Sequence, residues 1–281
     1  MLRTRVLTAI VLLLALTVAA AISLQALIAF GAAFVGVTLF EWLRLSGVAA
    51  HYALPASALA ALAGFFLQLE NLGPSPDVLA VLCAVSCTLW LCIGILLVRA
   101  QRKSVPLKRP LLVAGALALG GTAWFALVDL LHRGILWTLS VLALVWIADI
   151  AAYFFGRSFG VRKLASRISP GKTWAGVWGA VLSVSVIAEV VRWLWPQAPL
   201  WSTRLLIAAP VYGIGVLLAF VALSIVGDLF ESLVKRQAGA KDSGKILPGH
   251  GGVWDRIDAT LPTLPLAVLS QWTIVNGWNH G

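Results

Sequence analysis

Apolar residues in this chain fall in long runs separated by short polar segments, a pattern that predicts membrane-crossing helices rather than one-sided soluble ones. A helix needs roughly 17 to 25 mostly apolar residues to cross a bilayer, and nine such runs can be marked out. The first stretch, Val6 to Phe40, is too long for one ordinary span. Polar Ser23 and Gln25 near its middle predict two closely connected passes, with a single pass plus a re-entrant piece as the alternative. The other runs lie near Leu54 to Leu69, Val78 to Val98, Leu111 to Leu131, Ile135 to Phe155, Trp174 to Val191, Leu205 to Gly227 and Ala259 to Val275.

Composition supports the same class. With 281 residues, 60% hydrophobic and 11% charged, the chain carries more apolar surface than a single soluble core can hide. The expected fold is therefore all-α: a polytopic integral membrane helix bundle of about nine transmembrane helices. It forms one domain over residues 1–281, with N-terminal spans in 1–130 and spans plus polar loops in 131–281. No repeat of fixed period and no low-complexity tract interrupts it.

The net charge of +10 could suggest nucleic acid, but the basic residues sit between the apolar runs and read as topology signals, so no nucleic-acid partner is expected. In the nine-span arrangement, eighteen of the 21 Lys and Arg fall on one side, in segments beginning at Arg3, Arg44, Arg99, Arg157 and Lys235. The other side holds Arg133, Arg192 and Arg204. The positive-inside rule then places the N-terminus and those loops in the cytoplasm and Gly281 outside. The first residues imitate a secretory signal, although the apolar stretch continues past the usual length of one, and we read it as an uncleaved first span. Cys83, Cys87 and Cys92 share one apolar run and are expected to serve helix packing.

Only eleven acidic residues are present, so each acid within or beside a span needs a reason for its desolvation cost. Asp149 lies inside the sixth run, followed by Tyr153. Asp228 ends the eighth, and helical spacing would put Ser224, Asp228, Ser232 and Lys235 along one face. Beyond it come Arg236, Lys241, Asp242, then Pro248, His250, Gly251 and Gly252, then Asp255, Arg256 and Asp258. Carboxylates that hold divalent cations, mixed with cations and glycine N–H groups that receive phosphate oxygens, suit phosphate chemistry. Asp255 and Asp258 would share a face only if their stretch is helical. The alternative is a basic loop that merely binds anionic lipid head groups.

Ser169-Pro-Gly-Lys-Thr173 invites a nucleotide-loop reading, but Ser166 stands where the Walker motif has glycine and no preceding strand is expected. Lys172 still suits a phosphate contact beside a helix start. The four histidines do not assemble a zinc set, and His250 is either structural or a phosphate contact.

The segment SLVKRQAGAKDSGKILPGHGGVWDRID, Ser232 to Asp258, resembles the signature of phosphatidate cytidylyltransferases, also called CDP-diacylglycerol synthases. Ser232, Lys235, Arg236, Lys241, Asp242, His250, Gly251, Gly252, Asp255, Arg256 and Asp258 match its positions and spacing. Upstream, Asp149, Tyr153, Gly156, Arg157 and Ser169 to Trp174 also resemble the family, with Ala151 standing where glycine is expected. The likeness covers roughly the C-terminal half.

The resemblance implies cytidylyl transfer from CTP to phosphatidate in a bacterial inner membrane, with magnesium as cofactor and a second, monovalent cation such as potassium. It implies Asp228, Asp255 and Asp258 as metal ligands, with Asp149 beside them. Lys241, Asp242 and Arg256 complete the catalytic set. Lys172, Ser232, Lys235, Arg236, His250, Gly251, Gly252, Asp149 and Tyr153 are its expected substrate contacts. Membrane lipids and a homodimer are the further partners it suggests. A CTP-dependent lipid kinase, a secondary transporter with intramembrane acids and a bilayer scaffold are the competing classes.

Overall fold

The computed structural model describes residues 2–277 apart from Ser104 and His250, with backbone alone at 2–6, 9 and 275–277. Within them the chain forms α1 (Leu2–Ile22), α2 (Leu24–Leu45), α3 (Ala50–Leu69), α4 (Pro76–Arg102), α5 (Arg109–Arg133) and α6 (Ile135–Phe159). A hairpin of β1 (Lys163–Ala165) and β2 (Ser169–Thr173) follows. Then come α7 (Trp174–Leu194), α8 (Trp201–Ala208), α9 (Pro210–Gln237), α10 (Trp254–Ile257) and α11 (Thr260–Gly277).

The result is an all-α membrane bundle with one small antiparallel hairpin. Seven of the described helices, α2 to α7 and α9, are long and apolar enough to cross a bilayer. Helices α1 and α11, of 21 and 18 residues, coincide with the remaining two apolar runs but lie outside that set.

Local chemistry fixes the boundaries. Ser23 splits the first long run, its hydroxyl accepting from the Ala26 N–H at 3.1 Å as the N-cap of α2. Ser75 and Pro76 start α4 by the same capping logic. Pro210 opens α9 after an extended Ala209, so the run that began at Leu205 belongs partly to the separate short helix α8. Helix α9 then continues ten residues past the expected end at Gly227, because nothing after Gly227 breaks it before Gly239, which has positive φ.

The main core joins α2 to α9 and α11, and a smaller cluster holds α1 to α2 and α5 around Trp124. Helices α6 and α7 pack closely because small residues face each other. A Cβ on Gly176 would come within 2.7 Å of the Ala152 carbonyl oxygen, and one on Gly179 would overlap the Phe155 ring. At a second close approach, a Cβ on Gly227 would overlap the Asp258 carbonyl oxygen, so α9 touches the chain where it enters α11. These two close approaches bring the C-terminal end of α6, the hairpin, mid α9 and the start of α11 together.

Candidate active site

Two ionic clusters occupy this junction. The first is centred on Lys172, which β2 carries to α9, where its ammonium pairs with the Asp228 carboxylate. Asp149 from α6 and Asp258 from the α10–α11 corner complete its electrostatic surroundings. Burial opposes the charge on Lys172, but Asp228, Asp149 and Asp258 outweigh it and raise its pKa. Burial pushes the Asp258 carboxyl well above the usual range, helped by Asp228 and Asp149 and opposed by Lys172 and the Ala259 N–H at 2.8 Å. Part of Asp258 still faces the cavity described below, although the residue lies deep in the protein.

The second cluster is drier and better satisfied. Lys235 Nζ lies 2.6 Å from Glu231 Oε2, one helical turn away, and 2.5 Å from Asp255 Oδ1. Asp255 Oδ2 accepts from the Ser243 and Gly252 N–H groups, both at 2.9 Å. Burial works against the Asp255 carboxylate, but Glu231, Lys235 and the two backbone donors together hold its pKa down at about 2. The next layer is Glu41, 1% exposed, which reaches in from α2. Its oxygens accept from Val253 N at 3.1 Å, Trp254 N at 2.8 Å and Ser243 Oγ at 2.8 Å. Beside it the Trp42 and Trp254 rings stack, 4.5 Å between centroids and 9° from parallel.

A cavity of about 1470 Å³ opens onto the first cluster, larger than the roughly 300–1000 Å³ usual for small ligands. Its apolar lining includes Leu16, Phe30, Phe34, Leu139 and Trp146. The same cavity is lined by the charged Asp149, Lys172, Asp228, Asp258 and Arg256. Tyr153, which accepts a 3.0 Å hydrogen bond from Arg157, and Asp255 line it as well.

The structure therefore sorts the residues singled out by sequence. Asp149, Tyr153, Lys172, Asp228, Asp255, Arg256 and Asp258 share the cavity wall. Ser232, Lys235, Arg236, Lys241, Asp242, Gly251 and Gly252 do not belong to it. The Lys235 ammonium is held between Glu231 and Asp255, the Gly252 N–H is spent on Asp255, and Arg236 donates to the Ile168 carbonyl at 3.3 Å. Gly251 has φ +83, a left-handed turn residue beside Asp242. His250 lies outside the described residues.

Two groupings divide between the clusters, and one expectation, that no strand precedes the Lys172 loop, needs correction. The Ser224, Asp228, Ser232, Lys235 row is helical, yet Asp228 and Lys235 join different clusters because they sit almost two turns apart. Asp255 and Asp258 flank a one-turn helix but have different partners: Asp255 is tied to Lys235 and Ser243, while Asp258 belongs with Asp228. A strand, β1, does precede Ser166, but it pairs antiparallel with the strand that carries Gly171, Lys172 and Thr173. The nucleotide-loop reading fails on that topology as well as on the missing glycine.

Glu41 and Glu231 were not singled out from sequence. Glu231 had a visible signal, four residues before Lys235 on one helix.

Against known proteins, the model of the cytidylyltransferase family matches residues 3–273. The chain belongs to the cytidylyltransferase family. Among its similar relatives is a Pseudomonas aeruginosa protein named phosphatidate cytidylyltransferase, 37% identical over 289 residues and covering 99% of both chains. A Haemophilus influenzae protein of the same name is 43% identical over 136 residues, 48% of this chain and 45% of the relative. An Escherichia coli protein, the uncharacterized YnbB, is 38% identical over 151 residues, 53% of this chain and 47% of its own. The first of these extends the likeness to the N-terminal helices of this cytidylyltransferase, from which Glu41 and the cavity-lining Leu16, Phe30 and Phe34 come.

Proposed function

We propose that this cytidylyltransferase transfers the cytidylyl group of CTP to phosphatidate, giving CDP-diacylglycerol and pyrophosphate. The observation that carries the reading is one large cavity whose wall combines many apolar side chains, suited to a lipid, with a carboxylate and cation cluster suited to phosphate. A phosphate oxygen of the lipid attacks the α-phosphorus of CTP, and the bond from that phosphorus to the bridging oxygen breaks as pyrophosphate leaves. Lys172 and Arg256, both on the cavity wall, would receive phosphate oxygens, with the Lys172 ammonium held there by Asp228. Phosphatidate is already anionic, so no strong base is required.

Magnesium is part of this proposal. Among the described residues, no three His, Cys, Asp or Glu side chains converge closely enough to cage an ion. Magnesium usually binds through one or two carboxylates with water and substrate phosphates completing the shell, so the cavity-lining Asp228, Asp255 and Asp258 fit a site finished by the triphosphate. When bound, it would neutralise triphosphate charge and steady the departing pyrophosphate. Asp149 is the neighbour of a second, monovalent site, which exchange of potassium for sodium would probe. The setting we propose is a bacterial inner membrane, with the N-terminus and the site-bearing loops cytoplasmic, the C-terminus periplasmic, membrane lipids around the bundle and a homodimer as the assembly.

CTP labelled separately at the α and γ phosphorus separates this reaction from a CTP-dependent lipid kinase. The α label should enter lipid and the γ label should leave in pyrophosphate. γ label in the lipid would overturn the reading in favour of the kinase. Ion-driven flux in liposomes without lipid turnover would overturn it in favour of transport.

A further inference from the structure

We infer that Glu41 is a positioning residue for Asp255, a role that rests on Asp255 serving the proposed site. Glu41 is buried at the end of α2 among neutral donors, and it forms no ion pair among the described residues. A carboxylate kept out of water without a cation is costly unless its oxygens are satisfied, and this one is satisfied by the loop that carries Asp255. It accepts from Trp254 N, 213 residues away in sequence, and from Val253 N and Ser243 Oγ.

Ser243 ties the two acids together. Its Oγ lies 2.8 Å from Glu41 Oε2 and 3.0 Å from Asp255 Oδ2, so its single hydrogen serves one carboxylate at a time. Its N–H, meanwhile, donates to Asp255.

The backbone is shaped around the same carboxylate. A Cβ on Gly244 or on Gly252 would overlap the Glu41 carboxylate, and Gly252 also supplies an N–H to Asp255. The two glycines thus leave the room that lets one acid hold both ends of the loop. The Trp42 and Trp254 stack fixes the angle at which α10 begins. Lys235 closes the arrangement from the opposite side of Asp255. Glu41 therefore sets where the Asp255 oxygens stand relative to the cavity without itself lining it.

A residue that only glues the fold would change stability and nothing else. Glu41→Gln keeps the shape but places an amide NH₂ where one oxygen accepts hydrogen bonds. Ser243→Ala cuts the bridge while leaving Glu41 bonded to Val253 and Trp254. The test measures magnesium–CTP binding by calorimetry on purified full-length protein without phosphatidate. Thermal unfolding and turnover are measured on the same samples, with Asp255→Asn alongside.

The inference expects Glu41→Gln to weaken magnesium–CTP binding by about 10-fold or more, the scale for groups that orient a metal ligand, while the folded fraction stays near wild type. Ser243→Ala should shift binding in the same direction by less. If Glu41→Gln does not fold, Ser243→Ala alone decides. Wild-type binding by the folded variants, with Asp255→Asn inactive, would overturn this inference and leave the proposed function standing. An active Asp255→Asn with unchanged magnesium dependence would overturn the role of Asp255 in the site, and this inference with it.

Discussion

The two clusters use the same residue types for opposite ends. Around Lys172, the acids outnumber the cation and the group faces a cavity, with the Lys172 and Asp228 side chains 23% and 27% exposed. Around Lys235, the side chains are 15% exposed for Lys235, 2% for Glu231 and 9% for Asp255, and five hydrogen-bond donors serve Asp255 and Glu41. The difference teaches that a charged signature motif need not be chemistry throughout. An under-compensated cluster in contact with solvent retains affinity for a ligand. One closed by buried donors spends most of that affinity on structure, and of its acids Asp255 alone also lines the cavity.

Variants at the two lysines are the sharpest way to break this comparison. Lys172→Met should lower turnover by about 100-fold or more through loss of a preorganised phosphate contact, while thermal unfolding in detergent moves little. A variant with near wild-type turnover would place the chemistry elsewhere. Lys235→Met should do the reverse in kind, leaving Glu231 and Asp255 buried without their cation. Its expected cost is about 3–5 kcal/mol of stability, read as a large fall in unfolding temperature. If instead its stability is unchanged and only turnover falls, the second cluster is not structural.

Smaller effects sharpen the boundary between the regions. Gly244→Ala presses a methyl group into the Glu41 carboxylate and should cost about 1–3 kcal/mol, measurable by denaturant unfolding. No destabilisation there would mean that the loop yields easily and is not held by Glu41. The smallest change is expected at Thr8→Val, which removes the 2.9 Å hydrogen bond from α1 to the Pro248 carbonyl. About 1 kcal/mol or less should be lost, with turnover kept. A large loss of turnover would mean that this contact holds the site in place.

Much of this arrangement was legible in the residues. The apolar runs announced the helices, Ser23 marked the break between α1 and α2, and the charge-rich Ser232 to Asp258 segment pointed to phosphate. What could not be read was which charges would neutralise each other. Lys172 and Asp228 lie 56 residues apart, and the packing of the hairpin against α9, where Arg236 donates to the Ile168 carbonyl, is what brings them together. Glu41 gave no periodic signal, since a lone acid beside Trp42 at the end of an apolar run reads as a membrane-boundary residue. The hairpin was too short for alternation to show.

The most direct test of the central claim is incorporation of cytidine from labelled CTP into lipid by purified protein with phosphatidate and magnesium, wild type against Asp228→Asn. The account expects a cytidine-containing lipid from wild type and almost none from a variant that remains folded. Equal incorporation by both proteins, or none by folded wild type, would contradict it.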